Sequence, residues 1–130
     1  MWITLSTSQE SIVRYIIYKY KKVNAGDALT AVNILETLGD NTAITSMYNM
    51  ESKGKFKVLA DRTFSMTASK GDRLIKRNIK LGGVHLQYDD SNTQEPNNFG
   101  LGLLVLGPAA NGNDANCNMI VRFRTFYYDT

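Results

Sequence analysis

Lys76, Arg77 and Lys80 place three cations within five positions. Cations at that spacing suit phosphate oxygens, whose charge they neutralise without reading base sequence. The same pattern also describes a solvated strand face. Resources for catalysis are thin. The single histidine, His85, stands in a strand-like alternation and reads as a polar or half-buried strand residue. The single cysteine, Cys117, excludes an internal disulfide. No nucleophile motif surrounds it, nothing in the sequence brings it to His85, and it reads as a buried inert thiol. Asp89 and Asp90 offer adjacent oxygens to a hard cation, but neighbouring acids in a loop are ordinarily just solvated. Gly100 and Gly102 lie inside an apolar run and open no helix, so they lack the context of a phosphate loop. The expectation is a chain with no catalytic residue, no cofactor and no metal site.

The elements that must position these residues are strands. The stretch from Lys55 to Met66 has a period of two, with Phe56, Val58, Ala60, Phe64 and Met66 on one parity. Arg62 breaks the apolar parity and Leu59 the polar one, which predicts a bulge near the middle. Ser11 to Tyr20 is β-branched and aromatic on both parities, as in a strand covered on both faces. Trp2–Leu5 reads as a short strand. Leu74 to Leu81 reads as a strand carrying the basic cluster, ended by Gly82 and Gly83. Val84, Leu86 and Tyr88 alternate in another short strand. Phe99 to Leu106 is apolar, with Gly100 and Gly102 allowing close approach of its backbone. Asn118 to Tyr128 closes the chain, with Arg122 and Arg124 sharing one face opposite Phe123. One helix is predicted, from Ala28 to Leu38. Asp27 serves as its N-cap, Gly39 as its stop, and Ala28, Ala31, Val32, Leu35 and Leu38 as its apolar stripe. Asp40 to Lys53 reads as a loop anchored by Ile44, Met47 and Tyr48.

With 130 residues, 43% of them hydrophobic, the chain makes one domain able to bury roughly two thirds of its unfolded surface. No apolar run nears the roughly 18 residues of a membrane span, and the start from Met1 to Leu5 does not read as a signal peptide. Net charge is only +3, but no Lys or Arg falls between Leu81 and Val121. That leaves a neutral Gly/Asn-rich region beside the basic ones. Six or seven strands with turn signals between them predict an all-β sandwich, with Phe56, Val58, Leu59, Ile79, Val121 and Phe123 buried between its two sheets.

The ordered set of short motifs resembles the single jelly-roll capsid proteins of small circular single-stranded DNA viruses and plant satellite viruses. Val13-Arg14-Tyr15-Ile16-Ile17-Tyr18 resembles the family's early strand, and Asn24-Ala25-Gly26 followed by a helix ending Ile34-Leu35 resembles the segment after it. Phe56-Lys57-Val58-Leu59-Ala60-Asp61-Arg62-Thr63 resembles the family's strand with the pattern L-x-D-[KR]. Ile79-Lys80-Leu81 with Tyr88, and Val121 through Asp129, resemble the later strands. The resemblance implies a jelly-roll β-sandwich over residues 1–130, with one short helix in a loop at about 28–38. It implies a virion protein that assembles with copies of itself into a small icosahedral shell around a single-stranded genome. Lys76, Arg77 and Lys80 would then face nucleic acid, held weakly and without sequence preference. Arg122, Arg124 and Tyr128 would lie at subunit interfaces. Two departures stand out. The basic N-terminal arm usual in the family is missing, and the first one or two strands are missing or reduced to Trp2–Leu5. The expectation is that either the chain is shortened or its sheet edge is completed by another segment or subunit. A lectin-like ligand-binding sandwich and a nonspecific single-strand-binding module are the alternatives.

Overall fold

The structure is a computed structural model and describes residues 2–6, 11–22, 29–38, 43–67, 72–87, 96, 98–107 and 118–122. It is mostly β. Among these residues the strands are β1 (Trp2–Ser6), β2 (Ser11–Tyr20), β3 (Phe56–Met66), β4 (Asp72–Lys76), β5 (Gly100–Leu106) and β6 (Asn118–Arg122). They pair antiparallel in two three-stranded sheets, ordered β4-β1-β6 and β3-β2-β5. The pairing is nested along the chain: β2 takes β3 inside the pair of β1 with β4. β5 then returns to the free side of β2, and β6 to the free side of β1.

β2 is the centre of the molecule. Ile16 and Ile17 are adjacent and both fully buried, so the strand is covered on both faces. Val13, Tyr15 and Ile17 point toward the other sheet and pack with Met66, Ile75, Ile79, Leu103, Val105 and Val121. Ile16 and Tyr18 point the other way and pack beneath Ile34, Leu35, Leu29 and Tyr48. A side chain of this kind contributes about 1.5–3 kcal/mol when fully buried. That is why ten residues rich in Ile, Val and Tyr can organise the rest.

The predicted bulge in β3 is present, with a consequence that period-two reading did not foresee. Ile17 pairs with Ala60 and Tyr18 with Val58, leaving Leu59 without a partner across the ladder. The extra residue exchanges the faces of the strand. Leu59, Ala60 and Phe64 pack between the sheets. Phe56 and Val58, expected there too, instead pack on the opposite face with Tyr18 and Tyr48. Of the other residues expected between the sheets, Ile79 and Val121 are there, and Phe123 lies outside the described residues.

β5 meets β2 with Gly102 opposite Tyr18 and Gly100 opposite Tyr20. A methyl group at either glycine would overlap the facing Tyr ring. The two glycines are therefore seats for aromatic rings, and the close approach expected of them is an approach of ring to backbone.

The helix is far shorter than predicted. α1 spans Ala31–Ile34, a single turn, with Thr30 as N-cap. The Thr30 backbone N–H and hydroxyl both donate to Asn33 Oδ1, at 3.0 and 2.8 Å. Leu35 is already extended (φ −119°, ψ 146°) and bridges Tyr48. The Asn49 N–H donates to the Ile34 carbonyl at 2.9 Å, and the Glu36 N–H to the Met47 carbonyl at 3.0 Å. Pairing with residues 47–49 further along the same chain thus replaces the second and third helical turns. Val32, predicted in the apolar stripe, is exposed, as is Met47, predicted as an anchor. Tyr48 does anchor the segment. Ala28, and the predicted cap Asp27 and stop Gly39, lie outside the described residues.

The strand expected at 74–81 starts earlier and stops at Lys76, and residues 84–87 join no ladder. Gly82 and Gly83 stand between, both at positive φ (76° and 66°), a conformation that strains any residue with a Cβ.

Candidate functional site

Two charged groups on the outer face of β2-β3 define one constellation. Arg14 donates from Nε to Asp61 Oδ1 at 2.9 Å and from an Nη to Asp61 Oδ2 at 2.7 Å. Its other Nη donates to the Ile44 and Ser46 carbonyls at 3.0 and 2.7 Å. The Tyr48 hydroxyl donates to Asp61 as well, and the guanidinium lies 5.7 Å from the centre of the Tyr48 ring. Arg14 is nearly buried, at 8% exposure. A desolvated guanidinium must have its donors satisfied, and here a fork of carboxylate and two carbonyls does so. The hydrogen bond from Arg14 holds the Asp61 carboxyl below its ordinary range, against the opposing effect of burial. The hydrogen bond to Asp61 likewise keeps the Arg14 guanidinium above its ordinary value. Burial, then the bond to Asp61, pushes the Tyr48 phenol up to about 12. A strongly held ion pair whose members stay charged at neutral pH is a fastener. It clips residues 44–48 onto the sheet and leaves no group poised to shuttle protons.

The second constellation is an open cleft of about 480 Å³ between residues 58–62, at the bulge of β3, and residues 77–80. Arg62, Arg77 and Lys80 line it together with Asn78 and Asp61. Arg77 Nε donates to the Tyr15 hydroxyl at 3.2 Å, which ties the guanidinium to a buried ring.

The structure divides the basic cluster predicted from sequence. Arg77 and Lys80 share the cleft. Lys76 does not: Ile75 packs inward, so alternation turns Lys76 to the outer face of the β4-β1-β6 sheet. There it stands across Trp2 from Arg122, both exposed, as the pairings Trp2–Lys76 and Trp2–Arg122 show. Exposed Leu74 and Ile120 occupy the next positions on that face, opposite one another across Thr4. Arg124 and Tyr128 lie outside the described residues, as do Cys117, Asp89 and Asp90. His85 is exposed and joins no strand, which corrects its half-buried strand reading. Its carbonyl accepts from Asn98 Nδ2 at 2.9 Å. Among the described residues, no three His, Cys, Asp or Glu side chains cluster in a way that could hold a metal. Sequence reasoning missed Arg62 as a site residue. Its signal was there, since Arg62 is the charged residue that interrupts the apolar parity of β3.

No family model, curated protein or solved structure matches the chain. Among the described residues, no helix is long and apolar enough to cross a membrane.

Proposed function

We propose that this chain is a self-assembling shell protein, the jelly-roll subunit of a small viral capsid. The observation that carries the reading is the strand order. Rolling one antiparallel ribbon on itself nests an inner pair within an outer pair and brings later strands back beside earlier ones. β2–β3 within β1–β4, then β5 beside β2 and β6 beside β1, follows that rule. A second observation supports it. Val13–Tyr18 and Phe56–Thr63, the two longest stretches resembling capsid strands on described residues, lie on adjacent strands, and Arg14 of one pairs with Asp61 of the other.

In this reading the work is mechanical and the partners are copies of the same chain in a virion. The outer face of β4-β1-β6 is the surface offered to them. Leu74 and Ile120 are 67% and 58% exposed there, with Lys76 and Arg122 beside them. Apolar side chains next to arginine suit an interface core and its rim. Closed symmetry ends growth. Light scattering and electron microscopy of the purified protein test the proposal: closed shells are expected, and Ile120→Asp with Leu74→Asp should abolish them without changing the circular dichroism. A chain that stays monomeric across salt and pH overturns the reading.

A further inference from the structure

We propose that the open edge of β5 is a docking site for an extended segment of another polypeptide, uncharged and apolar on both of its faces. The site goes beyond the shell reading and does not depend on it. Among the described residues β5 pairs with β2 alone. Every second N–H and C=O of β5 therefore points away from the sheet, a row of donors and acceptors that an added strand can satisfy. Sheets ordinarily guard such an edge with charge, proline or a bulge, and the opposite side of this molecule is guarded in that way. β3 carries the bulge at Leu59 together with Lys57, Asp61 and Arg62, and residues 77–80 lie across a cleft from it. β4 carries Lys76 and Arg73, whose guanidinium stands 4.4 Å from the centre of the Phe64 ring of the facing sheet. β5 holds none of these devices. Its ladder with β2 runs from Gly100 to Leu106 without a break, and no charged residue occurs from Pro96 to Asn113.

The side chains of β5 define what the added strand must be. Leu103 and Val105 pack between the sheets, while Leu104 and Leu106 pack on the opposite face with Ile16 and Tyr18. All four are only half-buried, and Leu101 is 37% exposed, whereas Ile16 and Ile17, the β2 partners of Leu104 and Leu103, are fully buried. Apolar surface is thus left uncovered on both faces of one edge. A strand laid along that edge places its side chains beside these, so both of its parities must be apolar. β5 offers no charge to meet a charged partner, which makes the strand neutral. In such a contact the main-chain pairing supplies affinity and the flanking side chains supply selectivity.

Fluorescence anisotropy on the full chain tests the assignment, with a labelled, end-capped, uncharged peptide of valine, tyrosine and threonine that matches the 7 residues of β5 in length. The peptide should bind, and Leu101→Glu should weaken it roughly tenfold, the equivalent of about one apolar side chain lost from the contact. Lys19 stands across the ladder from Leu101, so the new carboxylate has a cation beside it and the fold is kept. Ser65→Glu, on guarded β3, should leave binding unchanged within about twofold. Two further peptides test the main chain on the unsubstituted protein. One N-methylated on alternate amides keeps a free edge and should still bind, whereas one methylated on every amide should not. The chain carrying Leu74→Asp with Ile120→Asp, which removes the shell contact on the other sheet, should bind the peptide as the unsubstituted chain does, so failure of shells and failure of docking are read separately. Four results overturn the assignment: no binding of the peptide, equal binding by its fully methylated form, no greater loss with Leu101→Glu than with Ser65→Glu, or a dimer in sedimentation that Leu101→Glu dissolves, which would give the edge to a second copy.

Discussion

Replacing Asp61 by alanine should cost about 3 kcal/mol of folding stability. Asp61 receives two hydrogen bonds from Arg14 and one from Tyr48, and its side chain is 26% exposed against 10% for Arg14. Removing one member of a buried ion pair costs about 3–5 kcal/mol, because the other is left desolvated and uncompensated. The partial exposure of Asp61 places the figure at the low end. For a domain of this size, about 3 kcal/mol corresponds to a fall of roughly 10 °C in the thermal midpoint. Urea titration followed by circular dichroism measures it directly. Asp61→Asn, which keeps the shape and one accepting oxygen, should cost about half as much. A double-mutant cycle with Arg14→Met separates the pair from its surroundings and should return a coupling of about 2 kcal/mol. The pH dependence has a definite sign. Asp61 titrates below its ordinary 3.8 in the fold, so its contribution is complete above that pH and is lost as pH falls through the lower, folded value. The gap between wild type and Asp61→Asn should therefore narrow in acid. A cost under about 1 kcal/mol for Asp61→Ala, or a gap that widens on acidification, would refute the reasoning.

Gly102→Ala should destabilise by about 1–3 kcal/mol, since the methyl collides with the Tyr18 ring; equilibrium unfolding reads it, and Gly107→Ala, with open space around it, is the comparison. Stability should also fall as pH rises from about 10 to about 12, because the Tyr48 phenol stays protonated longer in the fold than in the unfolded chain, and Tyr48→Phe should remove that step from an ultraviolet titration. Deleting Leu59 should be tolerated better than deleting Lys57. The first closes the ladder with every other β2–β3 pair in register, while the second displaces Phe56 from its partner Tyr20, and midpoints in urea distinguish them. Ile17→Ala, in the centre of β2, should cost about 2–5 kcal/mol by the same measurement.

The strands were legible wherever side chains both favour extended backbone and must be buried. β2 declares itself through Val13, Tyr15, Ile16 and Ile17, and β5 through Leu103 to Leu106. The β3 bulge was legible as a broken parity, yet its effect was not. Alternation read along one strand cannot register that the partner strand skips Leu59, so Phe56 and Val58 were placed on the wrong face. The helix failed for a related reason. Leu35 satisfies a helical stripe and equally satisfies a bridge to Tyr48, and the pairing with 47–49 brings hydrogen bonds that local spacing does not reveal. The basic cluster was legible as composition and misleading as a unit, because β4 ends at Lys76 and sends neighbouring cations to different surfaces. The Arg14–Asp61 pair joins residues 47 apart, and no local pattern in the sequence announces it.

The nested pairing also orders events during synthesis. β1 is made before every other strand described, but its partners β4 and β6 begin at Asp72 and Asn118. At about 5–20 residues per second, β1 waits for several seconds or more before its sheet can close. The β2–β3 pair needs only the chain as far as Met66 and can form first, with residues 44–48 clipped to it by Arg14. The time taken to translate from Ser6 to Arg122 then sets the least interval for which β1 lacks one of its two partner strands. A stall in that interval should favour strand exchange between nascent chains over closure within one.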